Sequence, residues 1–180
     1  FVNPGKTMNH TLPSFAASVR TILLQHNDPA GRDKVAALLR DALADRAFVD
    51  SFFNADSPER KVVYEDPQLG FCILAHHYTD AKSGPPHDHG PSWAIYGQAD
   101  GETVMTDWTL VEAASPSRPG KVKMLREYAM TAGVVHVYNE GAIHAPSRKG
   151  PTRLIRIEGI NLEKVARGKY ESVGTASLSP

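Results

Sequence analysis

The 180-residue chain has a single cysteine, Cys72, no net charge and no long apolar run. One thiol leaves no partner for an internal disulfide, no cysteine-type zinc site and no secreted disulfide scaffold. Twenty Lys and Arg balance twenty Asp and Glu, and the pI is near 7.3. Nucleic-acid binding through phosphate neutralisation normally needs a basic excess, so no nucleic-acid partner is expected. No apolar stretch approaches the roughly 20 residues of a membrane span, and the N-terminus lacks the basic region and apolar core of a signal peptide. The expectation is one soluble, cytoplasmic domain with no membrane partner. Internal repeats and low-complexity tracts are absent as well. What stands out in number is histidine, with eight residues.

Two periodicities divide the chain. Phe1–Thr7 precedes the first methionine, Met8, and carries no weight in the fold. From Pro13 to about Phe53, apolar residues recur at helical spacing, as in Phe15, Val19, Ile22 and Leu23, then Val35, Leu38, Leu39 and Leu43. Asn27-Asp28-Pro29 supplies an N-cap and a first-turn proline between two of these runs. From Lys61 onward the runs are short, β-rich and separated by Gly, Pro, Asp and Ser. Strands are expected at Lys61–Glu65, Phe71–Tyr78, Ser92–Gly97, Glu102–Thr109, Lys121–Met130, Val134–Tyr138 and Thr152–Glu158. Seven short strands closing on themselves bury one face around a cavity. The organisation is therefore residues 1–58 as an extension and helical segment, 59–171 as a β-barrel, and 172–180 as a small polar tail.

The strongest chemical signal is Pro85-Pro86-His87-Asp88-His89-Gly90. Histidines at i and i+2 of an extended segment point to one side and can reach one metal ion, with Asp88 facing away. An isolated His-x-His is more often a solvated loop. Here, however, the segment resembles the first motif of the cupin family, which reads His-x-His, three or four residues, Glu, six residues, Gly. The chain has His87-Asp88-His89, four residues, Ala94, six residues, Gly101. The second cupin motif is matched by Gly133, Gly141 and His144, with Asn139 in place of its proline. The two motifs span Pro85 to His144, about a third of the chain.

The resemblance implies a mainly β fold, the jelly-roll-like double-stranded β-helix, with one metal held between the motifs. Ala94 stands where the family carries a glutamate, which leaves His87, His89 and His144 as a neutral three-histidine set. Three such donors leave coordination positions open, and imidazole suits Fe(II); zinc, nickel and manganese are alternatives. A three-histidine site beside an N-terminal helical segment resembles the thiol dioxygenases, exemplified by cysteine dioxygenase. Ala94 also lies where animal members carry the cysteine of a cysteine–tyrosine crosslink, so none can form there. Cys72 reads as a buried core thiol.

By the same resemblance, the arginine that binds the substrate carboxylate falls at Arg60 or Lys61, which face opposite sides of a strand. The family's Ser-x-His-x-Tyr run departs here to Leu154-Ile155-Arg156-Ile157-Glu158. Arg156 is a candidate anchor for a carboxylate or enolate, and Glu158 its partner or a base; a salt bridge on the barrel wall is the equal alternative. Tyr96 and Gln98 share strand parity with Ala94 and are candidates to hydrogen-bond substrate or oxygen, with Trp93 and Ile95 facing the other way as packing. His136 is a substrate-facing candidate, although a packed histidine is somewhat favoured. Of the adjacent His76 and His77, only one can face inward.

The expected function is thus an Fe(II)-dependent dioxygenase that joins O₂ to a small bidentate anion. A thiol carboxylate leads, with a β-diketone or other enolisable substrate as the alternative. The other class is a nonenzymatic metal-dependent binding or sensing module, whose mark would be a closed coordination sphere, with Glu102 or Gln98 completing it. A homodimer would cover apolar helix or edge-strand surface, and nothing in the sequence fixes it.

Overall fold

The computed structural model describes residues 9–174. The assignments for Phe1–Thr7 and for residues 175–180 of the tail therefore lie outside the described residues. Three helices come first, α1 (Leu12–Gln25), α2 (Pro29–Leu43) and α3 (Arg46–Asp50). Thr11 caps α1 by accepting from Ser14 N, and Ser14 returns the bond to the Thr11 backbone. Asp28 caps α2 through Gly31 N, with Pro29 as its first residue, as the sequence predicts. Gly31 is required there, because a Cβ would overlap the His26 carbonyl.

Ten strands follow: β1 (Arg60–Glu65), β2 (Cys72–Tyr78), β3 (Lys82–Ser83), β4 (Ala94–Asp100), β5 (Thr103–Glu112), β6 (Gly120–Met130), β7 (Val135–Tyr138), β8 (Ile143–Arg148), β9 (Thr152–Glu158) and β10 (Tyr170–Ser172). They form two five-stranded sheets, ordered β1-β2-β9-β4-β7 and β10-β6-β5-β8-β3. Every pairing is antiparallel except β10 on β6. Apart from β1–β2 and β5–β6, each pair of consecutive strands crosses from one sheet to the other. This is the jelly-roll arrangement of the double-stranded β-helix, with a helical segment at its N-terminus.

All seven expected strands are present, and three were not read from the sequence. β8 contains Pro146, which reads as a strand breaker; its neighbour β3 is only two residues long, so β8 is nearly an edge strand there. β10 contains Ser172, so the first residue of the expected tail belongs to the sheet.

The first sheet has two unlike faces. Ile73, Ala75, Ile95, Val135, Ile155 and Ile157 pack against Phe15, Val19, Val35, Leu39 and Phe48 of the helices. Residues of opposite parity, among them Ala94, Tyr96, Tyr138 and Arg156, face the barrel interior. Among the described residues no helix is long and apolar enough to cross a membrane.

Candidate metal centre

His87 and His144 pair through their backbones, each N–H donating to the other's carbonyl at 3.0 Å. That bridge sets His-x-His in register with β8. His87, His89 and His144 then bring one ring nitrogen each to within 4.8 Å of one another. His89 and His144 are fully buried, with their Nε2 atoms 3.1 Å apart. Two imidazole nitrogens about 2.0–2.1 Å from one ion and at right angles would lie about 3 Å apart, so the separation fits shared coordination. His87 Nδ1 lies 3.0 Å from the Pro85 carbonyl, which leaves its Nε2 as the free donor. The buried Nδ1 atoms of His89 and His144 have no hydrogen-bond partner among the described residues. Such orphaned polar atoms are uncommon unless the site serves a function.

The electrostatics suit metal binding. Burial lowers the pKa of all three rings, that of His89 to about 3 with His87 adding to the effect. They are neutral at neutral pH, the form that ligates. Among the described residues no carboxylate or thiolate joins the cluster. Ala94 faces it without a donor. Gln98 is turned to the barrel end, where it accepts from Thr103 Oγ1 and donates to the Asp100 carbonyl, and Glu102 is exposed at the β4–β5 turn. Neither closes the coordination. The residues present therefore fit a metal ion with open positions.

Tyr96 lies beside this centre. Its hydroxyl is 3.0 Å from His89 Nε2, and burial raises its pKa, so it stays a protonated phenol. The Arg156 guanidinium sits over its ring at 4.0 Å. Arg156 faces inward beside Tyr96, whereas Glu158 does not pair with it. Glu158 accepts from Arg60 Nη2 at 2.9 Å and from Leu162 N at 3.1 Å. Arg60 is thus held by Glu158, Asn161 and Glu163 instead of standing free for substrate, and Glu158 pairs with Arg60 through Oε2 instead of with Arg156. Lys61 is exposed on the far face of β1. His136 is stacked between Tyr128 and Tyr138, with its Nδ1 near the Val137 carbonyl, and does not line the cavity. Of the histidine pair, His76 faces inward and His77 packs on Phe53. Cys72 is fully buried, and burial lifts its thiol to about 11, so it is inert.

Beside His87 opens a cavity of about 130 Å³, lined also by Tyr78, Tyr96, Arg148, Arg156 and Arg167. Its third arginine rides on a strap, residues 165–169, that crosses the His-x-His turn. Asp88, between the two ligands and facing away from them, pins the strap: it accepts from Gly168 N and Gly90 N at 2.9 Å each, and from the Tyr170 hydroxyl. Burial alone would raise the Asp88 carboxyl, but these three donors hold it below its ordinary value. Gly90 has φ +58°, and a Cβ there would meet the Ala166 carbonyl at 2.6 Å.

Sequence reasoning missed Arg148, Arg167 and Tyr138. Arg148 lies four residues after His144 on the same strand face, a signal that becomes visible only once β8 is recognised. Tyr138 shares parity with His136. Its ring centroid lies 4.0 Å from that of His144, and its hydroxyl bonds Tyr128 at 2.6 Å, which in turn donates to Asp107. Arg167, in a loop, has no such signal.

Fold and cluster together define a small β-barrel with a candidate three-histidine metal centre. No family model matches the sequence, and comparison with curated proteins finds no match. Among solved structures the chain is similar to a cupin superfamily protein from Desulfitobacterium hafniense at 16% identity and TM-score 0.44, covering 63% of this chain and 88% of that one. It is similar also to an uncharacterized conserved protein with a double-stranded β-helix domain from Klebsiella pneumoniae, at 14% identity and TM-score 0.45, covering 68% and 88%. An oxalate oxidase matches at 16% and 0.42, covering 65% of this chain and 58% of its own. Likenesses this distant carry no statement about activity.

Proposed function

We propose that the protein is a metal-dependent oxidoreductase that uses Fe(II) and O₂ on a small anionic substrate, with a thiol carboxylate as first choice. The observation that carries this reading is the neutral three-histidine cluster, two of its rings buried, with no fourth protein donor among the described residues, opening onto a cavity lined by arginines. The metal would supply a Lewis-acidic centre with open positions, which lowers the pKa of a bound thiol or enol and admits O₂ beside it. The chain's own residues divide the remaining work. Arg156 holds an anionic group of the substrate and, stacked on Tyr96, fixes the phenol in place. The Tyr96 hydroxyl, kept protonated, donates a hydrogen bond toward the reacting atoms beside His89. The Asp88-pinned strap brings Arg167 to the cavity wall.

The open coordination favours an enzyme over a binding module, because Gln98 and Glu102 leave the site unclosed. The test is anaerobic reconstitution with Fe(II), followed by oxygen-electrode assays with 3-mercaptopropionate, cysteine and a β-diketone. Substrate-dependent O₂ uptake that needs iron is the expected result. Uptake with the β-diketone alone would replace the thiol reading, and no uptake with any of them would return the protein to the binding class.

A further inference from the structure

Two arginines in the cavity are nearly inaccessible yet unpaired. Arg148 is 3% exposed and Arg156 9%. Arg148 lies over the Tyr78 ring at 4.1 Å, and its Nε and Nη2 have no hydrogen-bond partner; Arg156 lies over Tyr96, and its Nε has none. Arg167 and Lys82 line the same cavity, and among the described residues no carboxylate does. The acids whose fields reach these arginines are engaged elsewhere. Glu59 is exposed and bound by Lys82, and Glu158 is held by Arg60. Burying a guanidinium without a counter-ion is costly, and two side by side repel each other. Such an arrangement persists in a fold when a ligand supplies the missing negative charge.

The shape of the vacancy in hydrogen bonding says what kind. Nε and Nη2 form one edge of a guanidinium, two parallel N–H groups that match the two oxygens of a planar carboxylate. The cavity holds the volume of about four water molecules at ~30 Å³ each, which suits a compact group. We propose that Arg148 and Arg156, with Arg167, bind a substrate carboxylate that does not touch the metal, so that the site takes a compact dianion and rejects molecules bearing an ammonium group. The proposal rests on the reading of this cavity as the substrate site. It refines that reading, because among thiol carboxylates it favours 3-mercaptopropionate, which brings a thiolate and a carboxylate, over cysteine, which adds an ammonium among four cations.

The test uses malonate as the dianion, propionate as the monoanion, β-alanine as the zwitterion of similar size and methylphosphonate as the tetrahedral oxyanion. Calorimetric titration is run on metal-loaded protein, on chelator-stripped protein and on His87→Ala. Malonate is expected to bind all three, propionate more weakly, and β-alanine not at all. Arg148→Gln and Arg156→Gln should each weaken malonate by about 10- to 100-fold, the worth of a charge-assisted hydrogen bond. Arg148→Met and Arg156→Met should melt no lower than the parent when ligand-free while losing malonate, because a buried unpaired cation is removed. Equal binding of β-alanine and malonate, unchanged malonate affinity in the glutamine variants, or a large drop in melting temperature in both methionine variants overturns the proposal. Tighter binding of methylphosphonate than malonate overturns the carboxylate assignment. Malonate binding that needs the metal and ignores the arginines also overturns it while sparing the metal centre. Arginine-dependent malonate binding by a parent protein that takes up no metal on reconstitution would do the reverse.

Discussion

Two interiors lie on opposite faces of one sheet. Between the sheet and the helices, Phe15, Phe48, Leu39, Ile95, Ile155 and Ile157 form an apolar layer. Behind it, the barrel interior holds His76, His89, His144, Arg148, Arg156 and Glu158, all buried and several with unpartnered polar atoms. The first layer follows the usual rule that apolar burial drives folding; the second violates it. Alternation along β4 and β9 produces both at once, since Ile95, Ile155 and Ile157 turn outward while Ala94, Tyr96, Arg156 and Glu158 turn inward. The helical layer stabilises, and that surplus lets the barrel interior keep groups that cost stability but bind ligands.

The sharpest way to break the comparison is to remove one member of each interior. His144→Ala is expected to abolish metal-dependent O₂ uptake, while the metal-free protein melts within a few degrees of the parent. Leu39→Ala, in the fully buried center of the helical layer, should cost about 2–5 kcal/mol in denaturant unfolding and leave metal stoichiometry unchanged in the folded protein. If His144→Ala proves the more destabilising of the two in metal-free protein, the division fails. Tyr96→Phe keeps the ring beneath Arg156 and removes only the hydroxyl. A kcat lowered about 100-fold at constant metal content is expected, and an unchanged kcat would relegate Tyr96 to packing.

A pH series sharpens the contrast further. His76, His89 and His144 are buried neutral, and burial holds their pKa values below the ordinary 6.5, that of His89 at about 3. Below about pH 6.5 the unfolded chain takes up protons that the folded chain refuses, so stability falls as pH falls. Urea midpoints of stripped protein should therefore decline from pH 7.5 to 5.5; a flat profile would mean that these rings titrate normally in the fold. The smallest effect concerns the strap. Asp88→Asn keeps the side chain's shape but loses the charge that three donors share, at a cost of about 1 kcal/mol, read as faster proteolysis near residues 165–169 with metal content unchanged.

Much of this division was legible in residue order. Helical spacing from Phe15 to Phe53 and the Asp28-Pro29 cap located the helices, and period-two parity placed Tyr96 inward and Ile95 outward. Less was legible where structure depends on contacts distant in sequence. β8 escaped because Pro146, and Ile143 as its single β-branched residue, hide a strand whose register comes from pairing with β5 and from the His87–His144 bridge. With β8 hidden, Arg148 was hidden too. Arg60 or Lys61 was expected at the substrate by family resemblance and spacing to the histidine pair, but spacing says nothing about Glu158, which reaches Arg60 from two strands away. Asn139, standing where the cupin pattern has proline, accepts from Arg32 of α2 at 2.9 Å, a tie between helix and turn that no local signal announces.

The central claim, that His87, His89 and His144 form one metal site, is tested most directly by titrating chelator-stripped protein with Co(II) and following its visible absorption. The account predicts saturation at one ion per chain, lost in each of His87→Ala, His89→Ala and His144→Ala. Stoichiometric binding that survives all three substitutions would contradict it.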